Sequence, residues 1–257
     1  MNFSVIIPAR YQAQRLPGKP LREIHGKPLI QWVVECARRS SARDIIVATD
    51  DPRVARVVEG FDAQVCLTAG DHASGTDRLA EVVQSRGYDD DHVVVNLQGD
   101  EPLMPAAVID QVAGNLLARP ETEMATVCSR IRTLEELFDP HVVKVVSDAS
   151  DHALYFSRAA IPWDREEFPC HQQLPVHSTH FRHIGLYAYR AGFLARFVGW
   201  SPCPLETTEK LEQLRALYHG ARIHVAEAVE EPGPGVDTET DLLAVAERLQ
   251  QGPHARP

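Results

Sequence analysis

The sequence predicts an α/β fold with a mainly parallel central sheet and a smaller antiparallel extension, and three observations predict it. Short apolar runs rich in β-branched residues recur at 4–8, 44–49, 63–67 and 92–97, as buried parallel strands do. Helix-like stretches separate them at βαβ spacing. Near residue 142 the rhythm breaks, and two strand-like runs follow each other with no full helix between them, which is the pattern of a hairpin leaving the sheet.

Each element has its own justification. Residues 4–8 form the first strand, and 28–39 the first crossover helix, with apolar residues at Leu29, Ile30, Trp32, Val33, Val34 and Cys36 and basic residues at its end. Residues 44–49 follow as a strand, and Asp51-Pro52 opens a helix with a capping carboxylate and a proline at the first turn. Residues 63–67 and 92–97 are strands flanking an amphipathic helix at 76–86. A helix at 105–118 and a strand at 124–131 continue the series. The hairpin strands are 142–146 and 153–157, and 161–174, with prolines, Trp163 and several charges, reads as a long loop. A strand at 184–189, a short helix at 191–198, one long helix at 205–218, a strand at 223–228 and a helix at 238–249 complete the chain. This gives one domain at 1–250, with an extension at about 140–205, and a tail at 251–257.

Composition narrows the function. With 257 residues, 44% of them apolar, the chain can bury a substantial core. A net charge of −10 without a basic run argues against a nucleic-acid surface. No apolar run approaches the roughly 18 residues that span a bilayer, and no charged n-region precedes an apolar core, so no membrane insertion and a cytoplasmic location are expected. Cys36, Cys66, Cys128, Cys170 and Cys203 are scattered, odd in number and without a CxxC pair, which fits reduced thiols.

The chemistry concentrates after the first strand. Arg10, Arg15 and Lys19 follow it, with Pro17 and Gly18 between the last two, at the sheet edge where open α/β folds bind ligands. Either this is a solvated basic loop or it is a polyphosphate cradle, and its position favours the cradle. Neither GxxxxGK[ST] nor GxGxxG is present there. Asp100, in Gln98-Gly99-Asp100-Glu101-Pro102, should reach the same edge after the strand at 92–97. A carboxylate beside phosphate-binding cations suits Mg²⁺, which takes one or two carboxylates plus phosphate oxygens, although a turn aspartate is the alternative. Asp237, before the last helix, is either a cap or a second metal ligand. Ser74, Gly75 and Thr76 offer hydroxyls and a helix start, either as a nucleotide contact or as a plain cap. His177, His180 and His183 recur at a spacing unlike HExxH, and His183 alone is placed to present an imidazole to a ligand.

In this order, IPARY with RLPGKPL, IVATDD, DHASGTDRLAEVV, VNLQGDEP, VKVVSD, ALYFSRAAIPWDR, RHIGLYAYRAGF, LEQLRALYHG and GVDTETDL resemble the cytidylyltransferases of 3-deoxy-manno-octulosonate (Kdo) over roughly residues 3–249. The resemblance implies a nucleotide-diphospho-sugar transferase-like three-layer fold, a homodimer, and CTP and Kdo as substrates with Mg²⁺ as cofactor, for lipopolysaccharide synthesis. It implies Arg10, Arg15 and Lys19 on the triphosphate, Pro8, Ala9, Ser74, Gly75 and Thr76 along the nucleotide with Gln98 and Asp100, and Asp100 and Asp237 on the metal. Arg15, Lys19, Asp100 and Asp237 are then the catalytic set. Gln98, Arg165, His183, Tyr187, Glu212 and Gln213 match positions around the sugar acid, with Arg78 and Arg158 as additions. Gln12-Ala13-Gln14 departs from the family by lacking hydroxyls, and the stretch between Trp163 and His183 is the least family-like. A cytidylyltransferase for an amino-substituted Kdo or a sialic acid, and a non-catalytic CTP-binding module, are the alternatives.

Overall fold

The computed structural model describes residues 1–12, 15–72, 74–168, 174 and 179–251. Ala13, Gln14, Cys170, His177 and the tail beyond residue 251 lie outside the described residues. The expected mixed α/β architecture is present.

Strand β1 (Phe3–Pro8) is central and buried along its whole length. A short 3-10 turn (Lys19–Leu21) and a small hairpin, β2 (Glu23–Ile24) with β3 (Lys27–Pro28), lead into α1 (Leu29–Arg38). Then come β4 (Asp44–Thr49), α2 (Pro52–Glu59), β5 (Gln64–Leu67), α3 (Gly75–Arg86), β6 (Val93–Asn96), α4 (Ala106–Leu117), β7 (Met124–Arg130) and α5 (Leu134–Phe138). The later elements are β8 (Lys144–Ser147), β9 (Ala153–Ser157), β10 (Phe181–Arg190), α6 (Ala191–Val198), α7 (Pro204–Glu209), α8 (Gln213–Tyr218), β11 (Ile223–Glu227) and α9 (Glu239–Gln251).

The main sheet runs β11-β7-β10-β6-β1-β4-β5. Pairings of β1 with β4 and β6, of β4 with β5 and of β7 with β11 are parallel. Strand β10 enters between β6 and β7 in the opposite direction, pairing with both. Its first residues also pair with β8, which carries β9 as the outer strand of the antiparallel extension.

Side chains alternate across the sheet with the strand period of two. Phe3, Val5 and Ile7 meet α1, α2 and α4 on one face, and Ile6, Ile46 and Val94 meet α3, α6 and α8 on the other. Full burial of one such side chain is worth about 1.5–3 kcal/mol, so the two layers hold the sheet rigid. A third, smaller core lies at the carboxyl end of β1. Leu16, Ile24 and Leu29 pack there with Val236, Leu242 and Val245, seating α9 on the opening loop. No helix among the described residues is long and apolar enough to cross a membrane.

Two expectations need correction. The single helix at 205–218 is two helices, because Lys210 adopts a left-handed conformation (φ 55°) that ends α7, and the guanidinium of Arg158 takes the Glu209 carbonyl at 2.7 Å. The break separates α7, which buries none of its residues, from α8, which buries Gln213, Leu214, Arg215 and Ala216. His183 does not precede its strand. β10 begins at Phe181, where β7 and β8 capture residues too polar to read as strand alone. The β2–β3 hairpin and α5 are too short to leave a periodic signal.

Burial also sets an acid sensitivity. His224, 1% exposed and with neither ring nitrogen bonded to a described residue, is pushed down to about 4 by burial and by the positive charge of Arg119. His183, its ring against Phe156 and Tyr187, is pushed down to about 3. Between the unfolded histidine value near 6.5 and these values, the unfolded chain takes up protons that the native chain refuses. Stability therefore falls as pH drops through that window, by about 1.4 kcal/mol per pH unit for each fully linked proton. Urea unfolding of His224→Leu from pH 7 to pH 4.5 should show an acid limb shallower by one proton, and an unchanged slope would refute the linkage.

Candidate active site

The loops leaving β1 and β6 at their carboxyl ends meet the start of α3, after β5, in one cleft, lined by Pro8, Ala9, Arg10, Gln12, Lys19, Gly75, Gln98, Gly99 and Asp100. Its floor is tight. A Cβ at Gly99 would stand 2.7 Å from the Pro8 carbonyl oxygen, so only glycine lets the β6 loop cross the end of β1. Gly75 brings the start of α3 to within ordinary contact of the Pro8 ring.

Lys19 is the hub. Its Nζ donates to Asp100 Oδ2 at 2.6 Å, to the Val236 carbonyl at 3.0 Å and to Asp237 Oδ1 at 3.1 Å. Arg15 Nη2 donates to the other oxygen of Asp237 at 2.9 Å. Burial alone would push the Lys19 ammonium down, but Asp100 and Asp237 outweigh it and hold the group above its ordinary value. The backbone locks the arrangement, with Val236 N–H donating to the Asp100 carbonyl at 2.8 Å. Thr238 and Asp241 bond reciprocally at the start of α9, so that helix leaves the Asp237 carboxylate facing the cations.

Asp100 and Asp237 thus converge with a backbone carbonyl on a single cation position. Two carboxylates and a carbonyl, all oxygen, fit a hard divalent ion. Among the described residues no group of three or more His, Cys, Asp or Glu is placed to hold a metal ion. Glu101 stands in the same motif, and sequence alone gave it no role. Burial, then Asp100 and Asp237, push its carboxyl up to about 8, and its Oε1 would lie 2.9 Å from a Cβ at Gly235.

The remaining predicted residues divide into several environments. Arg10 Nη2 donates to the His72 carbonyl at 2.8 Å on the cleft wall. The Ser74 hydroxyl is engaged in a capping box with Asp77. Thr76 Oγ1 donates to Glu212 Oε2 at 2.5 Å, tying α3 to the start of α8. Glu212 Oε1 and the Tyr187 hydroxyl are buried with no hydrogen-bond partner among the described residues, and burial raises Tyr187 well above its usual value. Gln98 Nε2 reaches Asn96 Oδ1 at 3.3 Å, His183 Nε2 lies 3.0 Å from Thr126 Oγ1, and Gln213 is buried.

The arginines assigned around the sugar sit differently. Arg78 is fully buried and its Nη2 lies 3.4 Å from Asp50 Oδ1 without hydrogen-bond geometry, while Nη1 donates to the Thr68 hydroxyl. Desolvation pushes its guanidinium below the usual value. Arg158 donates to the carbonyls of Glu209 and Pro140, joining the extension to α7. Arg165 is exposed, on the loop before the undescribed residues.

Comparison with known proteins places this geometry. The cytidylyltransferase family model matches residues 4–223. The chain is 58% identical to 3-deoxy-manno-octulosonate cytidylyltransferase of Pseudomonas fluorescens over 249 residues, covering 96% of this chain and 98% of that one. It is 56% identical to the protein of the same name from Vibrio vulnificus, covering 97% and 98%. Among solved structures it resembles a CMP:2-keto-3-deoxy-manno-octonic acid synthetase complexed with CTP, with a TM-score of 0.89 at 39% identity, covering 97% of this chain and 99% of that one. A 4-diphosphocytidyl-2C-methyl-D-erythritol synthase from Anaerococcus prevotii, 12% identical with a TM-score of 0.61, shares the fold.

The Gly99 crossing gives a direct test. In Gly99→Ala the new methyl meets a strand-end carbonyl that cannot turn away, whereas in Gly235→Ala the nearest atom is the tip of the Glu101 side chain. Denaturant unfolding should show a loss of about 1–3 kcal/mol for Gly99→Ala and a smaller loss for Gly235→Ala. The reverse order would refute the packing described.

Proposed function

The chain belongs to the 3-deoxy-manno-octulosonate cytidylyltransferases, and from that premise we propose that it transfers CMP from CTP to the anomeric hydroxyl of Kdo and releases pyrophosphate for lipopolysaccharide synthesis. The observation that carries the reading is the meeting of Lys19, Asp100 and Asp237 beside Arg15, at the carboxyl ends of the parallel strands.

The anomeric oxygen forms a bond to the α-phosphorus as its proton passes to water, while the bond from that phosphorus to the pyrophosphate oxygen breaks on the opposite side. No covalent enzyme intermediate is required. Arg10, Arg15 and Lys19 hold the triphosphate, and Arg15 and Lys19 neutralise charge that grows on the leaving pyrophosphate. Asp100 and Asp237 would hold Mg²⁺, which when bound supplies charge neutralisation at the phosphate oxygens. Pro8, Ala9 and the turn at 74–76 line the nucleotide. The buried, unbonded Tyr187 hydroxyl and Glu212 oxygen, with Gln98, His183 and Gln213, give the sugar hydroxyls partners, and Arg165 is the exposed cation for the sugar carboxylate.

We further propose a cytoplasmic homodimer. Strand β9 ends the extension with Leu154 exposed to 62%, an apolar edge that a second copy would cover. Light scattering that returns the mass of one 28.6 kDa chain would refute the dimer.

The reaction is tested by a pyrophosphate-release panel of four nucleoside triphosphates against Kdo, 8-amino-Kdo and a sialic acid, with and without Mg²⁺. Release should require CTP, Kdo and the metal. Lys19→Ala should lower kcat about a hundredfold, on the order of 3 kcal/mol. Full turnover by that variant, or equal release with another nucleotide, would overturn the assignment.

A further inference from the structure

The position on which Asp100 and Asp237 converge is already filled by an ammonium. Lys19 Nζ has three donors, and Asp100 Oδ2, the Val236 carbonyl and Asp237 Oδ1 take all three at 2.6, 3.0 and 3.1 Å. Arg15 takes the second oxygen of Asp237 at 2.9 Å, so both oxygens of that carboxylate are engaged by cations. The Lys19 and Asp100 side chains are only 16% and 29% exposed, so that ion pair is less screened than pairs on the open surface. Without a cation at this point, Asp100 and Asp237 would face each other as like charges beside Glu101. A metal ion arriving alone must displace the ammonium from ligands that satisfy it. A nucleotide changes that balance, because its phosphate oxygens offer Lys19 and Arg15 another anionic partner.

We propose that Lys19 is a resident counter-cation of the metal site, seated between Asp100 and Asp237 until a triphosphate draws it away and frees both carboxylates for the ion. The inference rests on the metal-nucleotide reading above and adds an order to it, since metal and nucleotide then load together and each strengthens the other by the same factor. Lys19 would thus have two successive partners, the carboxylates at rest and the phosphates in the loaded site.

The test is Mn²⁺ binding by the full chain, read from the loss of the free-ion electron paramagnetic resonance signal. It is run without sugar acid so that nothing turns over, and the Mn²⁺–CTP complex in buffer is measured in parallel. Wild-type protein should bind Mn²⁺ at least tenfold more tightly with CTP than without it. Lys19→Met should bind Mn²⁺ without nucleotide at least tenfold more tightly than wild type and gain less from CTP. Arg15→Gln, which frees one Asp237 oxygen, should tighten nucleotide-free binding by a smaller factor and serves if Lys19→Met does not fold. Arg22→Gln removes a charge from the same opening segment, but Arg22 bonds Glu239 and neither carboxylate, so its nucleotide-free binding should stay within threefold of wild type. Nucleotide-free binding by Lys19→Met equal to wild type, or an equal rise in Arg22→Gln, would overturn the proposal while leaving the metal-nucleotide reading intact. Absence of Mn²⁺ binding by wild type even with CTP would overturn both.

Discussion

The constraint on which this molecule depends is that two carboxylates, 81 and 218 positions from Lys19, must be held against one ammonium. Charge attraction does not achieve this by itself. Arg22 and Glu239 join the opening loop to α9 at 2.6 Å, but with side chains 39% and 57% exposed such a pair contributes about 0–1 kcal/mol. The burial of Val236, Leu242 and Val245 against Leu16, Ile24 and Leu29 contributes more. Apolar packing fixes the strap that carries Asp237, and the ion contacts are formed on a position already set.

Beneath the charged rim, the polar groups are treated differently. His183, Tyr187 and Tyr189 are held in their neutral forms by burial, on a face that also carries Thr76 and Glu212. The ionic groups gather at the cleft around Lys19, while Tyr187 and Tyr189 lie in the apolar core with residues of α3 and α6.

Much of this was legible from residues alone, and the reasons are specific. Residues 44–49 and 92–97 announce buried strands because β-branched runs have few other uses. Asp51 with Pro52 announces a helix start, and the Asp51 carboxylate does accept from the Arg53 N–H at 2.8 Å. Lys210 was opaque because a lysine at positive φ is dictated by its surroundings, and the leucine spacing runs straight through it. The sheet partners of Arg182 and His183 lie more than thirty positions away, so no local signal could place them in a strand. The meeting of Asp100 with Asp237 was likewise invisible to spacing and entered through family resemblance. Glu101 carries no local signal because its setting beside Gly235 exists only once distant loops have packed.

The reversed strand β10 has a consequence for how the chain is made. It fills the place between β6 and β7, yet it is synthesised more than fifty residues after β7. On the ribosome the inner edges of both earlier strands must wait unpaired while the extension is translated, and Val93 to Val95 is an adhesive segment to leave open. The sheet becomes one cooperative object only when residues 181–190 arrive, so contact order, rather than core size, governs how fast this enzyme matures and how exposed its nascent form is to chaperones.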